Sequence, residues 1–137
     1  MERKRFKDNG NGTVIDNRTG LMWVKNGISE GCNNGCALTW EDAVSFCKKL
    51  KYAGYTDWRL PNVRELHSIV DYTTYDPAIN STYFPNTKNS YYWSSTTYVY
   101  PTDVAWGVYF NNGNVYYYNK TIDLYVRPVR GKFVFDI

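Results

Sequence analysis

At 137 residues the chain has the length of one ordinary domain, enough to bury a core and too short for two, so residues 1–137 read as a single unit. Sixteen Lys and Arg against thirteen Asp and Glu leave a net charge of only +3, spread thinly apart from Arg3 to Lys7 and Lys48 to Lys51, which argues against a nucleic-acid partner. No apolar stretch approaches the roughly 18 residues of a membrane span, and the opening MERKRFKDNG lacks the apolar centre of a signal peptide, so no direct membrane insertion is expected.

In chain order, short apolar runs alternating with Asn/Gly turns predict hairpin strands around Thr13 to Ile15 and Leu21 to Val24. Asp8, Asn9 and Asn11 superficially resemble a calcium loop. Glycines at 10 and 12 stand where an EF-hand needs side-chain oxygens, and no bidentate Glu closes the loop, so the segment reads as a turn and no metal is expected. A helix follows, with Thr39 as N-cap, Asp42 at N3 and Trp40, Ala43, Val44, Cys47 and Leu50 at helical spacing. Lys48, Lys49 and Lys51 complement its C-terminal dipole end, and Gly54 stops it. A second, shorter helix begins at the cap Asn62, carries Glu65 at N3, buries Val63, Leu66, Ile69 and Val70, and ends near Tyr72. After Pro85 the helical period vanishes, and YYWSSTTYVY, VAWGVYF, NVYYYNK and LYVRPVRG read as strands separated by turns. The order is a strand pair, two helices, then a strand-rich half.

Three cysteines, Cys32, Cys36 and Cys47, allow at most one intrachain disulfide, and the pairing stays open: CNNGC closes a small loop if oxidised, or all three remain thiols. The single histidine, His67, lies to the side of the second helix's apolar stripe and reads as a solvated residue. A thiol-dependent enzyme pairing Cys47 with His67 needs an accessible, electropositive cysteine, whereas the helical spacing buries Cys47. Cys32, Cys36, Cys47 and His67 sum to four zinc ligands at a spacing that matches none of the usual paired knuckles. Arg59, Glu65, Arg127 and Arg130 read as ion pairs or carbonyl contacts that lock helix to sheet, and the five tryptophans as core.

Six blocks, DNGNGTVIDNRTGLMW, LTWEDAVSFC, GYTDWRLPNVREL, YWSST, AWGVYFNNGNV and YVRPVRG, resemble in order the prokaryotic domain family typified by the C-terminal domain of Legionella-type collagen-like adhesins. The resemblance covers residues 6–131 and implies an α+β, C-type-lectin-like fold, two helices flanking a small twisted, mostly antiparallel sheet, with ligand contacts from the late strands and loops. It is similar to the fold of variable proteins made by diversity-generating retroelements and of formylglycine-generating enzymes. The enzymatic relatives on that fold use cysteines late in the chain, and here none follows Cys47. Adhesin-type members bind sulfated polysaccharides. The Glu-Pro-Asn, Gln-Pro-Asp and Trp-Asn-Asp triplets of calcium lectins do not occur, so sugar binding is expected to be calcium-independent. Many relatives carry cysteine where Pro128 stands, which puts the family disulfide of Cys47 in doubt.

Between Asn89 and Ile122 lie 34 residues with two charges, Asp103 and Lys120, and 8 of the 14 tyrosines. Interface cores are depleted in Lys, Glu and Asp, and Tyr with Ser, Asn and Gly is the composition of antibody binding loops. A two-residue turn at Asn112-Gly113 pairs Phe110 with Val115, Val108 with Tyr117 and Trp106 with Asn119 on a core face. Tyr109 then opposes Tyr116, and Gly107 opposes Tyr118, on the solvent face. The expected ligand-binding residues are Tyr98, Tyr100, Asp103, Tyr109, Asn111, Asn114, Tyr116 and Tyr118, without cofactor or catalytic residue, for a protein or polysaccharide ligand met at a cell surface or outside the cell. The same Asn/Tyr/Ser/Thr/Asp palette is what retroelement mutagenesis of adenines in Asn-type codons produces.

Overall fold

The computed structural model describes residues 4–99 and 102–134. Its strands are β1 (Phe6–Asp8), β2 (Thr13–Asp16), β3 (Leu21–Val24), β4 (Tyr91–Thr97), β5 (Val104–Tyr109), β6 (Asn114–Asn119) and β7 (Val129–Arg130). Between β3 and β4 lie a 3-10 segment, Glu30–Gly35, and the helices α1 (Trp40–Lys49) and α2 (Val63–His67). The chain is thus α+β with antiparallel ladders, and its strands fall into two small sheets of order β1-β2-β3-β7 and β4-β5-β6. Tyr125 joins the second sheet shortly before the chain enters β7, its carbonyl accepting from Trp93 N, and Arg59 exchanges backbone hydrogen bonds with Val129 of β7.

Each helix follows its sequence signals, but both are shorter than those signals suggest. Trp40–Lys49 starts after Thr39, whose side chain makes no cap bond, and Leu50 turns to an extended conformation. In α2 the capping box is complete: Asn62 Oδ1 accepts from Glu65 N, and Glu65 Oε1 accepts from Asn62 N, both at 2.8 Å. The α2 element closes at His67, and its apolar run continues as turn, with Leu66 and Ile69 buried beneath it.

The core divides by sheet face. Val14, Leu21, Trp23, Leu66, Ile69, Phe84, Tyr92, Val108 and Phe110 fill the space around α2 and the first sheet. Ala43 and Cys47 of α1 pack on Trp93 and Ala105, on the opposite face of the second sheet. Of the five tryptophans, Trp23, Trp58 and Trp93 are buried, whereas Trp40 and Trp106 are half-exposed.

Buried charges act as locks. Arg59 forms a fork with Glu65, both bonds at 2.6 Å, and also donates to the Gly131 carbonyl at 2.9 Å. Arg127, fully buried, donates to the Val24 and Lys25 carbonyls and to Thr87 Oγ1, each at 2.7 Å. Arg130 pairs with Asp57, stapling β7 to the loop before Trp58. The Asp8 to Asn11 segment is a turn: Asp8 Oδ1 accepts from Gly10 N, and the Asp8 carboxylate is paired with Lys25.

Candidate functional site

The β5–β6 hairpin departs from the two-residue turn that Asn112-Gly113 suggests. Its connection is the four residues 110–113, so Val108 opposes Val115, Trp106 opposes Tyr117, Gly107 opposes Tyr116, Ala105 opposes Tyr118 and Tyr109 opposes Asn114. The cause is Phe110. It leaves the ladder to fill the core, stacking edge-on against Tyr92 at 5.2 Å, while its backbone bonds to Ser90 and Ala78 instead of β6. Gly113 then closes the loop at φ +84°, where a β-carbon would strike Val70 and the Tyr72 ring. A slip of two residues keeps every side chain on its predicted face, because the strand period is two.

The core assignment of that face holds only in part. Val108 and Phe110 are fully buried, but Tyr117 is 55% exposed and Val115 38%. The reason is coverage: α1 packs against β4, and α2 against β4 and β5, leaving β6 as an outer strand. Five of its six residues are exposed.

Aromatic rings stand on both sides of this strand. On the α1 side, Tyr91 stacks on Tyr109 at 4.1 Å and meets Tyr118 edge-on at 4.8 Å, and Tyr116 leans on Tyr91, Tyr109 and Tyr118 at 6.3 Å each. Asn114 Nδ2 donates to Tyr116 Oη at 3.2 Å. Burial, then a hydrogen bond with Tyr91, push the Tyr118 phenol above its ordinary range. On the other side Tyr98, Trp106 and Tyr117 form a second cluster with centroids 4.9 to 5.5 Å apart.

The eight expected residues therefore do not form one patch. Tyr109, Asn114, Tyr116 and Tyr118 come together; Tyr98 belongs to the second cluster. Asp103 lines a separate polar recess with Thr39, Glu41, Asn119 and Lys120. Asn111 is committed to the fold, since its amide donates to Asp76, which also accepts from Asn89. Tyr100 lies outside the described residues. Sequence reasoning missed Tyr91, Trp106 and Tyr117. Tyr91 was findable, being two residues from the core Trp93 and so on its face; Tyr117 is exposed and Trp106 half-exposed, where the strand period alone places them beside the buried Val108.

Cys47 is fully buried among Ala43, Leu60 and Trp93, and burial pushes its thiol well above the ordinary range. Cys32, also buried, is pushed up to about 11 by desolvation, with Arg127 pulling the other way. Cys36 is exposed, and all three are free thiols. His67 Nε2 is hydrogen-bonded to Tyr72 Oη at 2.7 Å. Among the described residues no hydrogen bond links Cys47 to His67, and no group of three or more His, Cys, Asp or Glu is arranged to hold a metal ion.

The chain is a small α+β domain whose outer strand β6 is exposed and rich in tyrosine. Its residues 12–130 match the Lcl C-terminal domain, and the chain belongs to that family, the adhesin-related one that the six sequence blocks resemble. No curated protein matches the chain. None of the helices in the described residues is long and apolar enough to cross a membrane.

Proposed function

We propose that the domain is a non-catalytic recognition module whose ligand, a protein or polysaccharide outside the cell or on its surface, lies against β6. The observation that carries this reading is the outer strand itself: NVYYYN is uncharged, exposed in five of six positions, and walled by tyrosine rings already held against one another. Rings fixed before binding lose little entropy on contact, and phenols offer apolar area with a polar tip. Tyr109, Asn114, Tyr116 and Tyr118 with Tyr91 make the main contact, and Tyr98, Trp106 and Tyr117 a second on the reverse side. The C-type-lectin-like fold implied by the family blocks favours the same late strands.

Glycan and protein arrays probed with the domain identify a ligand class. Tyr116→Ala is then expected to weaken binding to that ligand by about 2 kcal/mol, roughly thirtyfold in Kd, with Val134→Ala, an exposed residue whose backbone bonds to Thr19 in the β2–β3 turn, as the control. Equal binding by wild type and Tyr116→Ala contradicts the proposal. The Asn/Tyr/Ser/Thr palette of residues 89–122 supports a further reading, diversification of this strand by a retroelement. Its genomic mark is a neighbouring reverse-transcriptase gene with an adenine-rich near-copy of the region encoding residues 89–130.

A further inference from the structure

Strand β6 ends the second sheet, and no strand among the described residues pairs with its far side. Lys120 N donates to Asp103 O at 2.9 Å, which fixes the phase of the ladder: even-numbered residues of β6 turn their backbone groups toward β5, and odd-numbered ones turn theirs outward. The outward row is occupied at both ends. Gly113 O accepts from Tyr72 Oη and Asn119 O from Ile122 N, each at 3.1 Å. Between them the N–H and C=O groups of Val115 and Tyr117 bond to nothing among the described residues.

Soluble proteins guard such edges with charge, proline or a bulge. Asn114–Asn119 has none of these: NVYYYN is uncharged, and its ladder with β5 runs without a register shift, whereas the β4–β5 ladder has one between Trp93 and Thr97. Val115 and Tyr117 also leave apolar side chains exposed beside their free backbone groups.

We propose that β6 pairs with β6 of a second copy of this chain, antiparallel and about a two-fold axis through Tyr116, joining the two three-stranded sheets into one. This register satisfies the free groups and needs no others, because Val115 of each copy exchanges both backbone bonds with Tyr117 of the other. Centring the axis on Tyr117 or on Val115 instead calls on the Asn119 or Gly113 carbonyl, which is already bonded. The side chains agree with it. Val115 meets Tyr117 of the other copy, a β-branched residue against a ring, and Tyr116 meets its counterpart at the narrow, non-hydrogen-bonded position. Like charges do not meet along the pair: Lys120 falls opposite Asn112, and the two Lys120 positions stand about 27 Å apart along the strands, beyond the roughly 8 Å Debye length. A two-fold contact uses the same patch on both copies and closes at two. Since it engages the edge of β6 and not its faces, it stands independently of the ligand reading, and the dimer presents its two tyrosine faces side by side.

The test is sedimentation velocity of the full chain without ligand, up to a concentration of about 1 mM. A reversible monomer–dimer equilibrium is expected, with Kd on the order of 100 µM for so small an interface. Val115→Pro removes an outward N–H that the monomer does not use, and Tyr117→Lys places a charge on the edge, so each should weaken dimerisation about tenfold or more. Val134→Lys, an exposed position bonded to the β2–β3 turn, should change it less than about twofold. Tyr117→Lys keeps the test valid if Val115→Pro folds poorly. The register is read by cross-linking in a Cys36→Ser background, which removes the exposed thiol. Tyr116→Cys should form a disulfide-linked dimer under mild oxidation, and Asn114→Cys, whose counterpart stands about 14 Å away, should not. A monomer at every concentration, assemblies of more than two copies, a dimer insensitive to both edge variants, or cross-linking through Asn114→Cys and not Tyr116→Cys overturns the proposal.

Discussion

Phe110→Ala is expected to lower the unfolding free energy by about 3 to 5 kcal/mol, as the removal of a fully buried aromatic ring does when its neighbours cannot close the gap. Here they cannot move far. The ring contacts Tyr92, whose hydroxyl is committed to Lys88 N, and the Phe110 backbone is tied to Ser90 and Ala78. Tyr116→Ala removes a ring of similar size from the next strand, and its expected cost is only about 1 kcal/mol, because that ring is 40% exposed and loses ring-edge contacts rather than leaving a cavity. Urea unfolding of the two variants separates them, with unchanged slopes expected. Were Tyr116→Ala as damaging as Phe110→Ala, the outer strand would be core and the recognition surface would not exist.

Glu65→Ala is the second large effect, about 2 to 3 kcal/mol. Its carboxylate is 2% exposed and accepts three bonds, two from Arg59 and one from Asn62 N, so its loss opens the α2 cap and strands a guanidinium. Removing one member of a buried pair costs about 3 to 5 kcal/mol. The lower figure follows from Arg59, whose side chain is 39% exposed and regains water. Glu65→Gln keeps the cap acceptor and should cost about half as much. Thermal unfolding of the three proteins checks the order; a neutral Glu65→Ala would show that the fork adds nothing to the fold.

Local signals carried most of the scaffold. Asn62 with Glu65 fixed the start of α2, the spacing of Ala43 and Cys47 gave the buried side of α1, and the arginines of the WRLP and YVRPVRG blocks proved to be locks. Where the reading failed, the deciding contacts were distant in sequence. The turn residues Asn112 and Gly113 favour a two-residue hairpin, yet Phe110 gains more by entering the core beside Tyr92 than by pairing with Val115. β1 is only three residues and declares itself through its ladder with β2. Tyr117 has the same period as Val108, and only the positions of the helices decide which of the two is covered. Asn111 has the composition of a contact residue and serves as a loop anchor to Asp76.

The most direct test of the recognition surface is NMR of the domain carrying 13C-labelled tyrosine rings, titrated with the ligand class found on the arrays. The 14 tyrosines place reporters throughout the chain. Ring signals of Tyr109, Tyr116 and Tyr118 are expected to shift with the binding isotherm, while those of Tyr52, Tyr55 and Tyr83, packed against the other core clusters, stay in place. Saturable binding that moves Tyr52, Tyr55 or Tyr83 and leaves the β6 tyrosines unchanged would contradict the account.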